Sequence, residues 1–358
     1  MALERAASFA MPTTSSSIST NKMISTTSLG PIALRKIVQD SSADIQKQSL
    51  DLGGIVWLEH LNLVVGDIDT AKKFYIDFLG FTAEREHNPK SNHYNIGQQQ
   101  FHLASATDID KPQRITGSIG LTVPSLQRIR DRLDTAKEEL KDSLFSIVED
   151  EHDKMMTVVC PYGNIIHLYD ISIDDEYHST TEDSTPKMVR LHSEGGEYGA
   201  HRMAVRTKPG IRYVEIACRE GTCSSIAEFY EKVLECQVTK TDGTAAVCVG
   251  PGVHMVYTEH EELSDDSIKQ MKGVHACIYI KDFEKTYNVL KKRDIIWTNP
   301  RFTHLDSCDT WEEAKASRTF RFKDIPDMNT GEKILELEHE TRPMMHGQYM
   351  KVPPYVPN

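Results

Sequence analysis

After Asp69, apolar residues fall at Ala71, Phe74, Tyr75, Phe78 and Leu79. That i, i+3, i+4, i+7, i+8 spacing lays one apolar stripe along a helix, with Asp69 as its cap and Gly80 as its stop. The same stripe returns at Ile226, Phe229, Tyr230, Val233 and Leu234, where Ser225 and Glu228 have the spacing of a capping box. Two more helices are predicted. One follows GSIGLTV (117–123) and carries Leu126, Ile129, Leu133, Ala136 and Leu140 on one face. The other follows GVHACIYI (273–280), opens at Asp282 and buries Phe283, Tyr287 and Leu290.

A short strand precedes each helix and three strand candidates follow it. Behind the first come TAEREHN, HYNIG and QFHLASA; behind the second FSIVEDE, KMMTVVC and NIIHLYDIS. Behind the third come QVTKTD, AAVCVG and VHMVYTE, and behind the fourth IIWTN, TFRFKDI and KILELEHE. The phrase KKFYIDFLGF from Lys72 is echoed by AEFYEKVLEC at 227–236, with Phe74 and Phe229, Tyr75 and Tyr230, and Leu79 and Leu234 at a constant offset of 155 residues. The chain therefore reads as two versions of one domain, each built from two strand–helix–three-strand units. The expected boundaries are 55–173 and 209–345, with a linker at 174–208 and a tail at 346–358. The insertion THLDSCDTWEEAKASR in the fourth unit is expected to be a loop with a helical turn.

Length fits this division: 358 residues suit about two domains. A hydrophobic share of 39% and a charged share of 26% suit a soluble globular protein, and no apolar run reaches membrane-spanning length. The net charge of −12 disfavours a nucleic-acid partner held through its phosphates. Seven scattered cysteines without a CxxC pair point to free thiols in a reducing compartment. Residues 1–50 are rich in Ser and Thr and poor in acids, so they are expected to be either a disordered tail or an organelle transit peptide. The corresponding locations are cytoplasmic, or plastid or mitochondrial.

Four βαβββ units, the FYxxxLG phrase, EHLNLVVGDID, GSIGLTVPS and the ending CPYGNIIHLYD together resemble the vicinal oxygen chelate superfamily. That superfamily includes glyoxalase I, extradiol dioxygenases and the fosfomycin and bleomycin resistance proteins. The resemblance is close over about 55–173 and looser over 209–340. It implies an α+β fold of four βαβββ modules in two tandem glyoxalase-like domains. It also implies a divalent metal (Zn, Fe, Ni, Co or Mn), with ligands from the first and last strands of each unit, and a small-molecule substrate bound through oxygens.

Period-2 alternation assigns faces to those strands without the family. With Leu61, Leu63 and Val65 in the core, His60 faces the hollow, and the same reasoning turns His102, Ser118 and His167 inward. In the second half it turns Tyr213 and Glu215, His254, His275, and Glu336 and Glu338 inward. Two ligand sets are expected: His60, His102 and His167 in the first domain, and His254, His275 and Glu336 in the second. Imidazoles with a carboxylate suit an open catalytic site. Glu336 or Glu215 would move a proton in a glyoxalase-like lyase or isomerase reaction. One alternative is iron-dependent extradiol ring cleavage, although Tyr213 stands where that branch carries its first-strand histidine. The other is a binding protein of the bleomycin-resistance type, in which Tyr213, Tyr169 and Tyr279 hold an apolar ligand without chemistry.

Overall fold

A computed structural model describes residues 29–38, 53–171 apart from 85, 98, 107–110 and 153, then 188–191, 201–204, and 210–349 apart from 251. Most of the expected linker, the tail from 350 on, and residues 1–28 and 39–52 lie outside the described residues.

The four units form. The first holds β1 (Ile55–Val65), a helix, then β2 (Thr82–Ala83), β3 (Ser91–Asn95) and β4 (Gln100–Ser105). The second holds β5 (Ser118–Val123), two short helices, then β6 (Ser146–His152), β7 (Met155–Val159) and β8 (Ile165–Asp170). A hairpin of β9 (Met188–Leu191) and β10 (His201–Ala204) lies inside the expected linker. The third unit holds β11 (Gly210–Arg219), a helix, β12 (Val238–Thr241), β13 (Thr244–Gly250) and β14 (Val253–His260). The fourth holds β15 (His275–Ile280), a helix, β16 (Phe320–Pro326) and β17 (Lys333–Pro343). Its expected IIWTN strand is reduced to a single bridge between Ile296 and Phe322.

The helices follow the stripes, with shifts at their ends. Counting from a helix at 31–38 (α1), α2 (Ile68–Lys72) widens into a π turn over Lys73–Phe78 and buries Ile68, Ala71, Phe74, Tyr75 and Phe78. Its cap is Asp67, which accepts from the Thr70 N–H at 2.7 Å, because the helix begins at Ile68, two residues earlier than a cap at Asp69 would place it. The second unit's helix is split into α3 (Leu126–Arg130) and α4 (Leu133–Glu139). The third helix, α5 (Cys223–Val233), also starts early, so Ser225 lies inside it and donates to Asp327 instead of capping. A further helix, α6 (Asp265–Met271), is capped by Ser264. The last helices are α7 (Phe283–Lys292) and α8 (Trp311–Ser317), the latter in the insertion with a full Thr310–Glu313 capping box.

The strands assemble into two sheets that cross the halves of the chain. Sheet 1 runs β16-β17-β15-β1-β4-β3-β2 and joins the first unit to the fourth. Sheet 2 runs β12-β13-β14-β11-β5-β8-β7-β6 and joins the second to the third. The joints are equivalent: β1 pairs antiparallel with β15, and β11 pairs antiparallel with β5. The fold class stands as read, an α+β protein of tandem modules, with the fourth module one strand short of βαβββ. Each half, however, gives one unit to each sheet, and no hollow belongs to one half alone.

One continuous apolar core, from Ile55 to Leu337, ties the sheets together. The π turn touches α4, and α5 touches β16 of the other sheet. At this seam Gly54 donates its N–H to Glu235 O at 3.0 Å, and a Cβ on Gly54 would stand 1.7 Å from Leu234 O. Only glycine fits so close a backbone approach. All seven cysteines are buried and free. Among the described residues no helix is long and apolar enough to cross a membrane. Gly54→Ala is expected to lower stability by about 2 kcal/mol or more through overpacking at the seam. A denaturant midpoint equal to that of the wild type would show that the seam is not tightly packed.

Candidate metal centre

The β1–β15 joint puts Asn62 opposite His275 and His60 opposite Cys277. On the far side of β15, β17 runs parallel and puts Glu338 beside His275 and Glu340 beside Cys277. Three side chains from three strands thereby meet on one face. His60 Nε2 lies 3.7 Å from Glu340 Oε2, and His275 Nε2 lies 3.5 Å from the same oxygen. The ligand atoms of His60, His275 and Glu340 all lie within 4.8 Å of one another.

A bulge in β1 between Leu58 and His60 adds a further carboxylate. Glu59 joins the same network: its Oε1 lies 3.2 Å from His60 Nδ1, and it accepts from Tyr279 and Arg342. Glu59 therefore fixes the His60 ring with the proton on Nδ1 and the lone pair of Nε2 aimed at Glu340. This is the usual way a carboxylate orients a ligating imidazole. His60 Nε2 is buried and has no hydrogen-bond partner.

Two guanidinium groups hold the acids. Arg321 donates to Asp306 at 2.9 Å, Glu338 at 2.7 Å and Glu340 at 2.8 Å. Arg342 donates to Glu59 at 2.8 Å and pairs with Glu340. Asn299 adds two bonds to Glu338. Burial works to raise the Glu340 carboxyl, but Arg321 and Arg342 outweigh it and hold the group well below the usual carboxylate range. For Glu59 burial is again opposed, by His60, Arg342 and Tyr279, and the balance is downward. Burial pushes His275 below the ordinary imidazole value. The insertion expected to be a loop with a helical turn, together with Phe302 just before it, helps to close the site. Asp306 is buried against Arg321, and the Phe302 ring stands edge-on to His275 with the Arg321 guanidinium above it at 4.6 Å.

These residues fit a divalent ion on two counts. Ligands about 2.1 Å from a tetrahedral ion stand about 3.4 Å apart, close to the N–O separations seen here and too long for a good hydrogen bond. Four carboxylates share two guanidinium groups here, so acidic groups outnumber basic ones, and buried charge needs compensation.

The expected ligand sets are regrouped. His102 stacks on His60 with ring centroids 3.6 Å apart and, on its other face, on His93 at 3.6 Å. Its Nε2 meets Gln100 at 2.9 Å. Burial first, then the neighbouring imidazoles, lower it well below the ordinary value. His167 and His254 lie in sheet 2, away from His60, His102 and His275, because β8 and β14 flank the β5–β11 joint rather than β1–β15. Glu336 also leaves its expected place. It sits opposite Asp324 of β16, before β17 reaches β15, and is paired with Lys333 at 2.9 Å. Glu215 is fully buried in sheet 2, where it accepts from Ser118 at 2.7 Å and Thr258 at 3.2 Å.

Sheet 2 has the same layout with different chemistry. His167 Nδ1 lies 2.7 Å from the Tyr213 hydroxyl, which lies 2.7 Å from that of Tyr169. A Cβ on Gly120 would fall 2.3 Å from the Tyr213 ring, so glycine makes the room that ring uses. Neither ring nitrogen of His254 has a hydrogen-bond partner. Burial pushes His167 down to about 4, and burial with the nearby Arg212 pushes His254 down to about 3. Among the described residues no three potential metal ligands converge there. The third aromatic of the binding-protein alternative, Tyr279, lies in sheet 1.

Residues 57–155 match the model of the Glyoxalase/Bleomycin resistance protein/Dioxygenase superfamily. That stretch of the chain is similar to a domain of this superfamily. No curated protein matches it. Among solved structures, a Bacillus subtilis protein assigned as a dioxygenase is similar at 11% identity, over 83% of this chain and 89% of that one, with a TM-score of 0.46. Glyoxalase I from Zea mays is similar at 12% identity, over 80% and 92%, with a TM-score of 0.45. The residues of this cluster that the alternation missed are Glu59 and Glu340 with their arginines. Glu340 was within its reach, since 336, 338 and 340 share one face; Glu59 was hidden by the bulge.

The buried histidines of sheet 2 set a pH dependence. Their folded values lie below the ordinary 6.5, so on acidification the unfolded chain takes up protons first. The stability they confer is present above about pH 6.5 and lost as pH falls toward their folded values. His254→Phe is expected to remove about 1.4 kcal/mol per pH unit of that loss between pH 6 and 4. Urea unfolding across this range measures it; an unchanged slope would show that His254 titrates normally.

Proposed function

We propose that sheet 1 is the active site of a metal-dependent enzyme acting on a small substrate with two adjacent oxygens. His60, His275 and Glu340 would hold a divalent ion. The observation that carries this reading is the lone pair of buried His60 Nε2, without a partner, facing His275 and Glu340 across an ion-sized gap. A bound ion would act as a Lewis acid on the substrate oxygens and make a hydroxyl there easier to ionise.

The protein's own groups prepare the rest. Glu59 holds the His60 tautomer, while Arg321 and Arg342 keep Glu340 anionic and fixed. Phe302 limits water at His275. His102 stays neutral beside His60 and offers a lone pair to a substrate proton.

Among the superfamily's reactions, the geometry favours oxygen-dependent ring opening of a vicinal diol. Two imidazoles and one carboxylate are the ligand composition of non-haem iron oxygenases. The glyoxalase-like proton shift asks for a mobile carboxylate base. Here Glu59, Glu338 and Glu340 are each tied to a guanidinium, and Glu336 and Glu215 lie elsewhere.

Reconstitution under anaerobic conditions followed by metal analysis tests the site. About one equivalent of ion is expected in the wild type and in His167→Ala, and less than about a tenth in His275→Ala. Retention of metal by His275→Ala would refute the ligand assignment. With the iron-loaded protein, oxygen uptake on catechol-type diols is expected. Isomerisation of a hemithioacetal without oxygen uptake would favour the lyase reaction instead.

A further inference from the structure

Residues 29–38, within the stretch expected to be a disordered tail or a transit peptide, lie in the hollow of sheet 2. Residues 31–38 form α1. Leu34 and Val38, one turn apart, are buried among Tyr169, Tyr213, Ala246 and Val256. At the start of the segment the Leu29 N–H donates to Glu215 Oε1 at 3.0 Å, and the Pro31 carbonyl accepts from the Tyr169 hydroxyl at 2.9 Å.

The same hollow holds an unused polar group. His254 pairs with Tyr213 across β14 and β11 and shares a strand face with Val256, which packs against α1. It is 1% exposed, yet neither nitrogen is hydrogen-bonded. A buried imidazole without a partner is costly, so His254 is a polar group that the contacts of α1 do not use. Eight residues are also too few for a helix to hold itself in water, so α1 exists because the hollow receives it.

We propose that the hollow of sheet 2 is a second binding pocket, for an apolar molecule bearing an N–H donor, and that residues 29–38 are its resident intramolecular occupant. The segment already acts as such a ligand: an N–H on the buried carboxylate of Glu215, a carbonyl on Tyr169, and an aliphatic body on the tyrosine rings. An alkylamine would place its ammonium on Glu215 and its chain where Leu34 lies. Ser118 and Thr258 hold the carboxylate in position for either occupant. The pocket is independent of the metal reading, since sheet 1 supplies none of these residues.

The test uses full-length protein. Leu34→Glu puts a charge into the apolar hollow and expels the segment; Ala33→Pro breaks α1 without adding charge. A fluorescently labelled synthetic peptide of residues 29–38 is expected to bind Leu34→Glu with one-to-one stoichiometry. It should bind the wild type at least about tenfold more weakly, because the resident segment competes. n-Octylamine is expected to displace the peptide, and n-octanoate is not. Adding Glu215→Gln to Leu34→Glu should weaken octylamine and leave octanoate unchanged. Equal peptide binding to both proteins, no binding to either, or equal displacement by octanoate would overturn the proposal. Unfolding of both segment variants would overturn it too, by showing that the segment is part of the fold rather than an occupant.

Discussion

The antiparallel pairing of β1 with β15 is the constraint on which the site depends. It brings His60, near the start of the first unit, against the strand of His275, more than two hundred residues later. The parallel neighbour β17 then lays Glu340 between them. Its counterpart, β11 with β5, makes the second hollow by the same rule. Because both joints cross the halves, the two copies of the repeat cannot act separately. The glycine approach at 54 and the shared apolar core hold the seam that fixes both sheets.

Charge decides how the first hollow is used. Four acids are collected at one sheet centre, and burial alone would drive Glu59 and Glu340 toward their neutral forms. Arg321 and Arg342 reverse that for Glu340, and with His60 and Tyr279 for Glu59, while the cluster as a whole stays short of positive charge. A dication completes it, and the gap facing His60 Nε2 has the size for one. The second hollow keeps the architecture and loses this chemistry. Tyr213 takes the place that His60 has in sheet 1, hydroxyl chains replace the acid–arginine network, and the chain's own α1 fills the space.

The units, their helices and the inward faces of His60, His102 and His275 were legible because stripe and alternation are local signals. The grouping was not. Alternation tells which face of a strand a residue occupies, and says nothing of which strand lies beside it. Alternation alone therefore groups His60 with His167, whereas the pairing of β1 with β15 places it with His275. Glu336, Glu338 and Glu340 share a face, and only the register of β17 against β15 selects among them. Glu59 escaped because a bulge interrupts the period. In residues 29–38 the i, i+4 pair Leu34 and Val38 was present, but the surrounding Ser and Thr dominated the composition.

Whether the halves of the chain share one ion is decided most directly by anomalous scattering from crystals of cobalt-substituted protein. A single strong peak is expected in sheet 1, about 2.0–2.2 Å from His60 Nε2, His275 Nε2 and a Glu340 oxygen. A peak beside His167 or His254 in sheet 2, or one bound by residues of a single half, would contradict the account.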